Sequence, residues 1–139
     1  MIETSLKIKG YTCGSFDLLH AGHLLMLKEC KAQCDYLIVG LHTNPTIDRP
    51  LKNKPVETVE ERIIRLQGCK YVDKILTYDT EKDLVNLLKE LKPDVRFLGE
   101  DWKGKRFTGD ELDIKIIYNS REHDFSSSNL RERIRNAKK

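Results

Sequence analysis

At 139 residues the chain is long enough to bury a real core and too short for two ordinary domains. Its 39% hydrophobic and 34% charged residues are globular values, and no apolar run approaches the length of a bilayer crossing. A formal net charge of +3 is too slight for a nucleic-acid surface, and the first residues carry Glu3, Lys7 and Lys9 without the apolar core of a secretory leader. The expectation is one cytoplasmic domain spanning residues 1–139 that binds neither nucleic acid nor membrane.

Ile8 to Cys13 reads as a first strand. It runs into Gly14-Ser15-Phe16-Asp17-Leu18-Leu19-His20-Ala21-Gly22-His23, where the chain changes from strand to helix. Histidines three apart share one face of a helix. At a first turn that face also carries unpaired backbone N–H groups and the positive end of the helix dipole, so the segment predicts a polyphosphate site. Gly22 removes a side chain where a phosphate oxygen must come close to the backbone. The imidazoles can donate to oxygens that gain charge when phosphorus is attacked. A zinc site is disfavoured, because the pair is not spaced i, i+4 and no third ligand stands nearby.

The helix continues from about His20 to Gln33 with Leu24, Leu25, Leu27 and Ala32 as its apolar face. Asp35 to Leu41 is a second strand, and its nearly unbroken Leu/Ile/Val run predicts burial on both faces, as in a parallel sheet. Residues His42 to Val56 form a long polar loop broken by Pro45, Pro50 and Pro55, a length that hints at function. Thr58 and Glu61 make a capping box for a helix running through Ile63, Ile64 and Leu66 to Gly68. Lys74 to Leu76 is a third strand, Glu81 to Leu91 a helix, Val95 to Leu98 a fourth strand and Ile114 to Tyr118 a fifth. A last helix starts among Ser126, Ser127 and Ser128 and continues through Leu130 and Ile134. Its basic residues Arg131, Arg133 and Arg135, with Lys138 and Lys139, read as a solvated face favoured by the dipole rather than an RNA surface. The alternation predicts an α/β fold: a Rossmann-like, open, parallel, five-stranded sheet with helices on both faces and right-handed crossovers. Cys13, Cys30, Cys34 and Cys69 form no C-x-x-C pair and are expected to be free, mostly buried thiols.

Ligands of such sheets sit outside the carboxyl ends of the strands. That rule groups the histidine segment with Arg49, Lys52 and Lys54 of the long loop, with Gly99 to Lys105, and with Arg121 to Ser128. Arg62 and Lys70 on the second helix make a further basic group. Gly99, Gly104 and Lys105 nearly spell a phosphate-binding Walker loop. However, Arg106 replaces the Ser or Thr that would reach magnesium, and Glu100 and Asp101 place two acids in the loop, so that reading is set aside.

The decapeptide resembles the G-x-F-D-x-x-H-x-G-H signature of the cytidylyltransferase-like nucleotidyltransferases. The similarity extends over nearly the whole chain and looks closest to the small glycerol-3-phosphate cytidylyltransferases. Gly99 to Lys105 is similar to the family's G-D-D-W-x-G-K stretch. Arg121 to Ser128 resembles its R-x-x-G-I-S-S/T-T motif, with Asp124 in place of glycine. Lys70-Tyr71-Val72-Asp73 resembles R-Y-V-D, with lysine for arginine.

The resemblance implies that Cys13, Gly14, Ser15, Phe16, Gly22, Asp101, Ser126 and Ser127 bind the nucleotide, with Asp101 by the ribose and base. It implies that His20 and His23 stabilise a five-coordinate α-phosphate, that Lys52 and Lys54 close over it, and that Arg121 bridges the phosphates. Arg62, Lys70, Trp102 and Asp124 are the implied contacts of the second substrate. Mg²⁺ would ride on the triphosphate without a dedicated protein site. The implied reaction is attack by a phosphorylated alcohol, glycerol 3-phosphate first, on CTP with release of pyrophosphate, in a homodimer. Alternatives are ethanolamine or choline phosphate as acceptor, an ATP-using adenylyltransferase similar to the archaeal FAD synthetases, and a noncatalytic nucleotide sensor. Asp124 would point away from the phosphates, repel them, or select a cationic or donor-rich acceptor, the last being favoured.

Overall fold

A computed structural model describes residues 7–120 and 123–137. Ten elements follow the chain: β1 (Lys9–Gly14), α1 (Ala21–Ala32), β2 (Tyr36–His42), α2 (Val59–Gln67), β3 (Lys74–Tyr78), α3 (Glu81–Leu91), β4 (Val95–Gly99), a 3₁₀ turn (Glu100–Trp102), β5 (Lys115–Asn119) and α4 (Ser127–Asn136). The strands form one parallel sheet in the order β3-β2-β1-β4-β5. The chain therefore winds outward from β1 to β3 on one side, then returns to continue from β4 on the other. The gap between β1 and β4 is the switch point, where loops leaving neighbouring strands diverge and open a crevice.

Each strand of the centre is buried on both faces, which explains the apolar run of β2: Leu37 through Leu41 are all buried. On one face Leu37, Val39, Leu41, Val95 and Phe97 pack with Leu27 and Cys30 of α1 and Leu66 of α2. On the other, Tyr11, Ile38 and Tyr78 pack with Leu84 and Leu88 of α3. Helices thus cover both faces. A Cβ at Gly40 would lie 1.9 Å from the Tyr11 hydroxyl oxygen, so β2 has a glycine where its neighbour's ring crosses it.

The buried line of α1 differs from the expected one. Leu27 and Cys30 face the sheet, whereas Leu24 and Leu25 are 39% and 46% exposed and Ala32 is also exposed. A helix with leucines at consecutive positions cannot turn them all inward, and the i, i+3 pair that meets the sheet takes the core. Cys30 and Cys69 are buried, Cys13 and Cys34 half-buried, and all four are free thiols. No described helix is long and apolar enough to cross a membrane.

Candidate functional site at the switch point

The turn from β1 into α1 is strained and held from outside. Phe16 and Leu18 have φ of 49° and 52°, a left-handed conformation that costs a side-chain-bearing residue about 1–3 kcal/mol. Phe16 is buried in the core, and Asp17, 4% exposed, accepts from Val56 N at 2.8 Å and Glu57 N at 2.9 Å. Glu57 answers by accepting from Leu18 N at 2.7 Å. Two carboxylates thus lock the signature turn to the end of the long loop. Arg62 completes the clasp. Its guanidinium, in a residue 2% exposed, donates to the carbonyls of Ser15, His42, Thr43, Glu57 and Thr58.

The two histidines begin α1. His20 is its N-cap, with Nδ1 accepting from Gly22 N at 3.0 Å, and Nδ1 of His23 accepts in turn from His20 N at 3.1 Å. This is a capping box built from imidazoles. A ring nitrogen that accepts carries no proton, so each neutral ring keeps its proton on Nε2. For His20 that nitrogen lies 3.1 Å from Ser127 Oγ, at the start of α4. The rings stack with centroids 3.9 Å apart. Burial above all, then the neighbouring His20, lowers the pKa of His23 to about 4, so it is a neutral N–H donor at pH 7. Capping and presentation of two Nε2–H donors are one arrangement. Gly22 is needed for it, since a Cβ there would lie 2.9 Å from Cε1 of His20 and 3.0 Å from Cε1 of His123.

Two clefts meet at this point and share Ser127 and Ser128. The histidine cleft, of about 350 Å³, is lined by His20, Gly22, His23, Met26, Gly99, Asn119, Phe125 and Ser126 among others. The N-terminus of α4, capped by the Ser126 hydroxyl at 3.0 Å from Asn129 N, forms one wall. The second, basic cleft of about 390 Å³ lies over the ends of β1, β2 and β4. Among the described residues its wall holds four cations, Arg49, Lys52, Arg96 and Arg131, against two carboxylates, Asp17 and Glu81. Arg49 is 2.6 Å from Glu81, and Arg131 is 2.5 Å from Asp17. His42 stacks on Tyr78 there, and burial lowers its pKa.

Several expected residues are gathered by these clefts. His20, His23, Gly22, Ser126 and Ser127 line the first, and Cys13, Gly14, Ser15, Lys52 and Trp102 line the second. Phe16 serves the core rather than a cleft. Lys54 is exposed and Asp101 is exposed, and neither lines a cleft. Asp124 is likewise exposed outside both linings. Arg121 lies outside the described residues.

Two of the expected substrate contacts are placed elsewhere. Arg62 is occupied inside the protein by backbone carbonyls, because a buried guanidinium must satisfy its donors where it sits. Lys70 lies in the connection from α2 to β3, which in a parallel sheet falls at the amino edge, opposite the clefts; its Nζ is 5.3 Å from the Tyr71 ring centre. The sequence reading missed Asp17, Glu57, Arg96 and Arg131. Asp17 is a fixed position of the decapeptide and was visible there as a motif member. Arg131 stands one turn after Ser127, a spacing that put it on the same face as the cleft serine.

The chain is similar in sequence and in fold to known proteins. Residues 11–133 match the family described as "Cytidylyltransferase-like". The bifunctional protein HldE of Campylobacter fetus is 36% identical over 120 residues, covering 84% of this chain and 26% of that protein. HldE of Caulobacter vibrioides is 34% identical over 135 residues, covering 93% of this chain and 27% of its own length. The chain thus spans under a third of the curated relatives it matches. A crystal structure of a lipopolysaccharide core biosynthesis protein from Thermoplasma volcanium superposes with a TM-score of 0.70 at 28% identity, covering 84% of this chain and 99% of that one. Pantoate-beta-alanine ligase from Francisella tularensis, 20% identical with a TM-score of 0.60, covers 94% of this chain and 67% of its own and shares the fold.

Proposed function

The chain belongs to the cytidylyltransferase-like family, and on that premise we propose that it transfers a nucleoside monophosphate from a nucleoside triphosphate to a phosphorylated sugar or polyol. The observation that carries this reading is the imidazole capping box. It fixes both Nδ1 atoms as acceptors and leaves both Nε2–H groups as donors, that of His20 beside Ser127 at the N-terminus of α4.

The triphosphate lies in the histidine cleft and the acceptor in the basic cleft. A phosphate oxygen of the acceptor attacks the α-phosphorus, the bond to the bridging oxygen breaks, and pyrophosphate leaves with that electron pair. His20 and His23 donate from Nε2 to the equatorial oxygens of the five-coordinate phosphorus, and a preorganised donor of this kind is worth about 10²–10³ in rate. Ser126, Ser127 and the N–H groups that open α4 hold the β- and γ-phosphates, with Arg121 joining them. Lys52 and Arg49 attract the acceptor phosphate across the shared rim, and Lys54, exposed on the same loop, adds to the positive field there. Positioning and charge stabilisation do the work, and no covalent enzyme intermediate is required.

Mg²⁺ would be carried by the phosphates and water. This fits the site, because the described lining of the histidine cleft contains no carboxylate and Asp17 and Glu57 are occupied by N–H groups and arginines. When bound, the ion neutralises charge on the departing pyrophosphate.

A CTP preference rests on the Asp101-Trp102 segment and on chain size; of that pair only Trp102 lines a cleft, the basic one, while Met26 and Phe125 offer apolar cover for a base in the histidine cleft. ATP is therefore the first donor to try and CTP the second. A sugar acceptor is supported by the size of the basic cleft and by the likeness to the 28%-identical lipopolysaccharide core biosynthesis protein. The exposed Leu24 and Leu25 on α1 and Ile64 on α2 support a homodimer through this side of the sheet. The test is to incubate the protein with each nucleoside triphosphate and a panel of phosphorylated alcohols and sugars. Pyrophosphate should appear only when both partners are present; tight nucleotide binding with no turnover on any acceptor would mark a sensor instead.

A further inference from the structure

Arg96 is the second residue of β4, three residues, or about 10 Å of strand, below the carboxyl end at Gly99. It lines the basic cleft and is 3% exposed. Arg49 and Arg131 of that cleft have carboxylate partners, whereas none pairs with Arg96 among the described residues. Its Nη1 donates to the Thr108 carbonyl at 2.5 Å, its guanidinium carbon is 5.3 Å from the Phe107 ring centre, and its Nε is buried with no partner. A guanidinium removed from water with its charge uncompensated is expensive. A neutral sugar hydroxyl would accept a hydrogen bond and leave the charge; an anion answers both.

We propose that the basic cleft takes an acceptor with two anionic ends: the phosphate that attacks, at the rim near Lys52 and Ser127, and a carboxylate or second phosphate seated against Arg96 at the floor. The substrate class is then a phosphorylated sugar acid or a bisphosphate rather than a simple phospho-alcohol. This rests on the nucleotidyl-transfer reading for the role of the first phosphate, and the test therefore reads binding apart from turnover.

The probes are matched pairs: glycerol 3-phosphate with 3-phosphoglycerate, and glucose 1-phosphate with glucose 1,6-bisphosphate. Thermal shifts of the full chain without nucleotide should be larger for the doubly anionic member of at least one pair, and which pair responds distinguishes carboxylate from phosphate. Arg96→Met should abolish that difference, and Arg96→Lys should keep part of it. With nucleotide present, Arg96→Met should lower kcat/KM for the preferred member roughly 30-fold or more, and for its singly anionic partner by much less. Equal shifts within both pairs in the wild type would overturn the proposal. So would equal losses for both members in Arg96→Met, which would mark Arg96 as a brace for Phe107 and Thr108. Turnover with no such preference sinks this proposal alone, whereas the preference without turnover on any acceptor upholds it and sinks the transfer reading.

Discussion

Asp17 and Arg131, 114 residues apart in sequence, meet at 2.5 Å and tie the signature turn to the last helix. The pair couples the two walls of the site, because Asp17 also holds the end of the long loop and Arg131 stands one turn along from Ser127. Burial pushes the Asp17 pKa up, but the N–H groups of Glu57 and Val56 and the Arg131 guanidinium together outweigh it and hold the carboxyl below 3.8. Its contribution to stability is therefore present above about pH 4 and lost as pH falls through the lower folded value. Asp17→Asn should cost about 3 kcal/mol in urea unfolding, since it leaves Arg131 unpaired and weakens the acceptors for two backbone N–H groups, one of them buried. A loss under about 1 kcal/mol would show that the turn is held by Glu57 and Arg62 alone.

His20→Asn and His23→Asn separate capping from chemistry. Asparagine accepts from backbone N–H as an N-cap does, yet it does not reach where Nε2 stands. Turnover should fall by roughly 10²-fold or more in either variant, with stability within about 1 kcal/mol of the wild type. The alanine variants should lose the same activity and about 1 kcal/mol more stability through the broken box. Normal turnover in an asparagine variant would remove that histidine from the mechanism.

The pKa of His23, lowered from 6.5 to about 4, gives a pH signature. The unfolded chain binds the proton below about pH 6.5 and the folded one only near pH 4, so stability rises with pH across that window and is complete above it. The contribution is roughly 3 kcal/mol when integrated over the window. Guanidinium unfolding of wild type and His23→Gln between pH 4 and 7.5 should show the wild type losing its excess slope in the variant. Identical pH slopes would place the His23 pKa near its ordinary value.

Gly22→Ala tests the packing of the two rings. Any gain from alanine's helix propensity is offset by the disturbed capping box, so stability should stay within about 1 kcal/mol of the wild type. The added Cβ meets Cε1 of His20 and of His123, and displaced imidazoles should lower kcat by about tenfold or more with little change in nucleotide affinity. Unchanged kcat would mean that the histidines tolerate the shift.

The placing of the two histidines at the start of α1 was legible because the strand-to-helix turn is written in consecutive residues, and the five strands were legible because each is a short apolar run between turn signals. The direction in which cationic side chains point was not. Arg62 reads in sequence as one more surface cation on a helix, and only the arrival of five carbonyls from two loops makes it internal. Arg131 reads as part of a basic tail, and its partner is 114 positions away. The place of Lys70 follows from the order of elements alone, since a helix-to-strand connection in a parallel sheet lies at the edge away from the ligand. The strand order, and with it the neighbourhood of Tyr11 and Arg96, needs tertiary pairing that no local pattern contains.

The most direct test of the account is ³¹P NMR of a reaction containing the protein, Mg²⁺, a nucleoside triphosphate and an accepted sugar phosphate whose phosphate oxygens carry ¹⁸O. The account predicts pyrophosphate and a new diphosphate diester in equal amounts, with ¹⁸O in the bridge between the two phosphorus atoms of the diester and none in the pyrophosphate. Orthophosphate with nucleoside diphosphate as the products, or a diester whose bridge lacks the label, would contradict direct attack of the acceptor phosphate on the α-phosphorus.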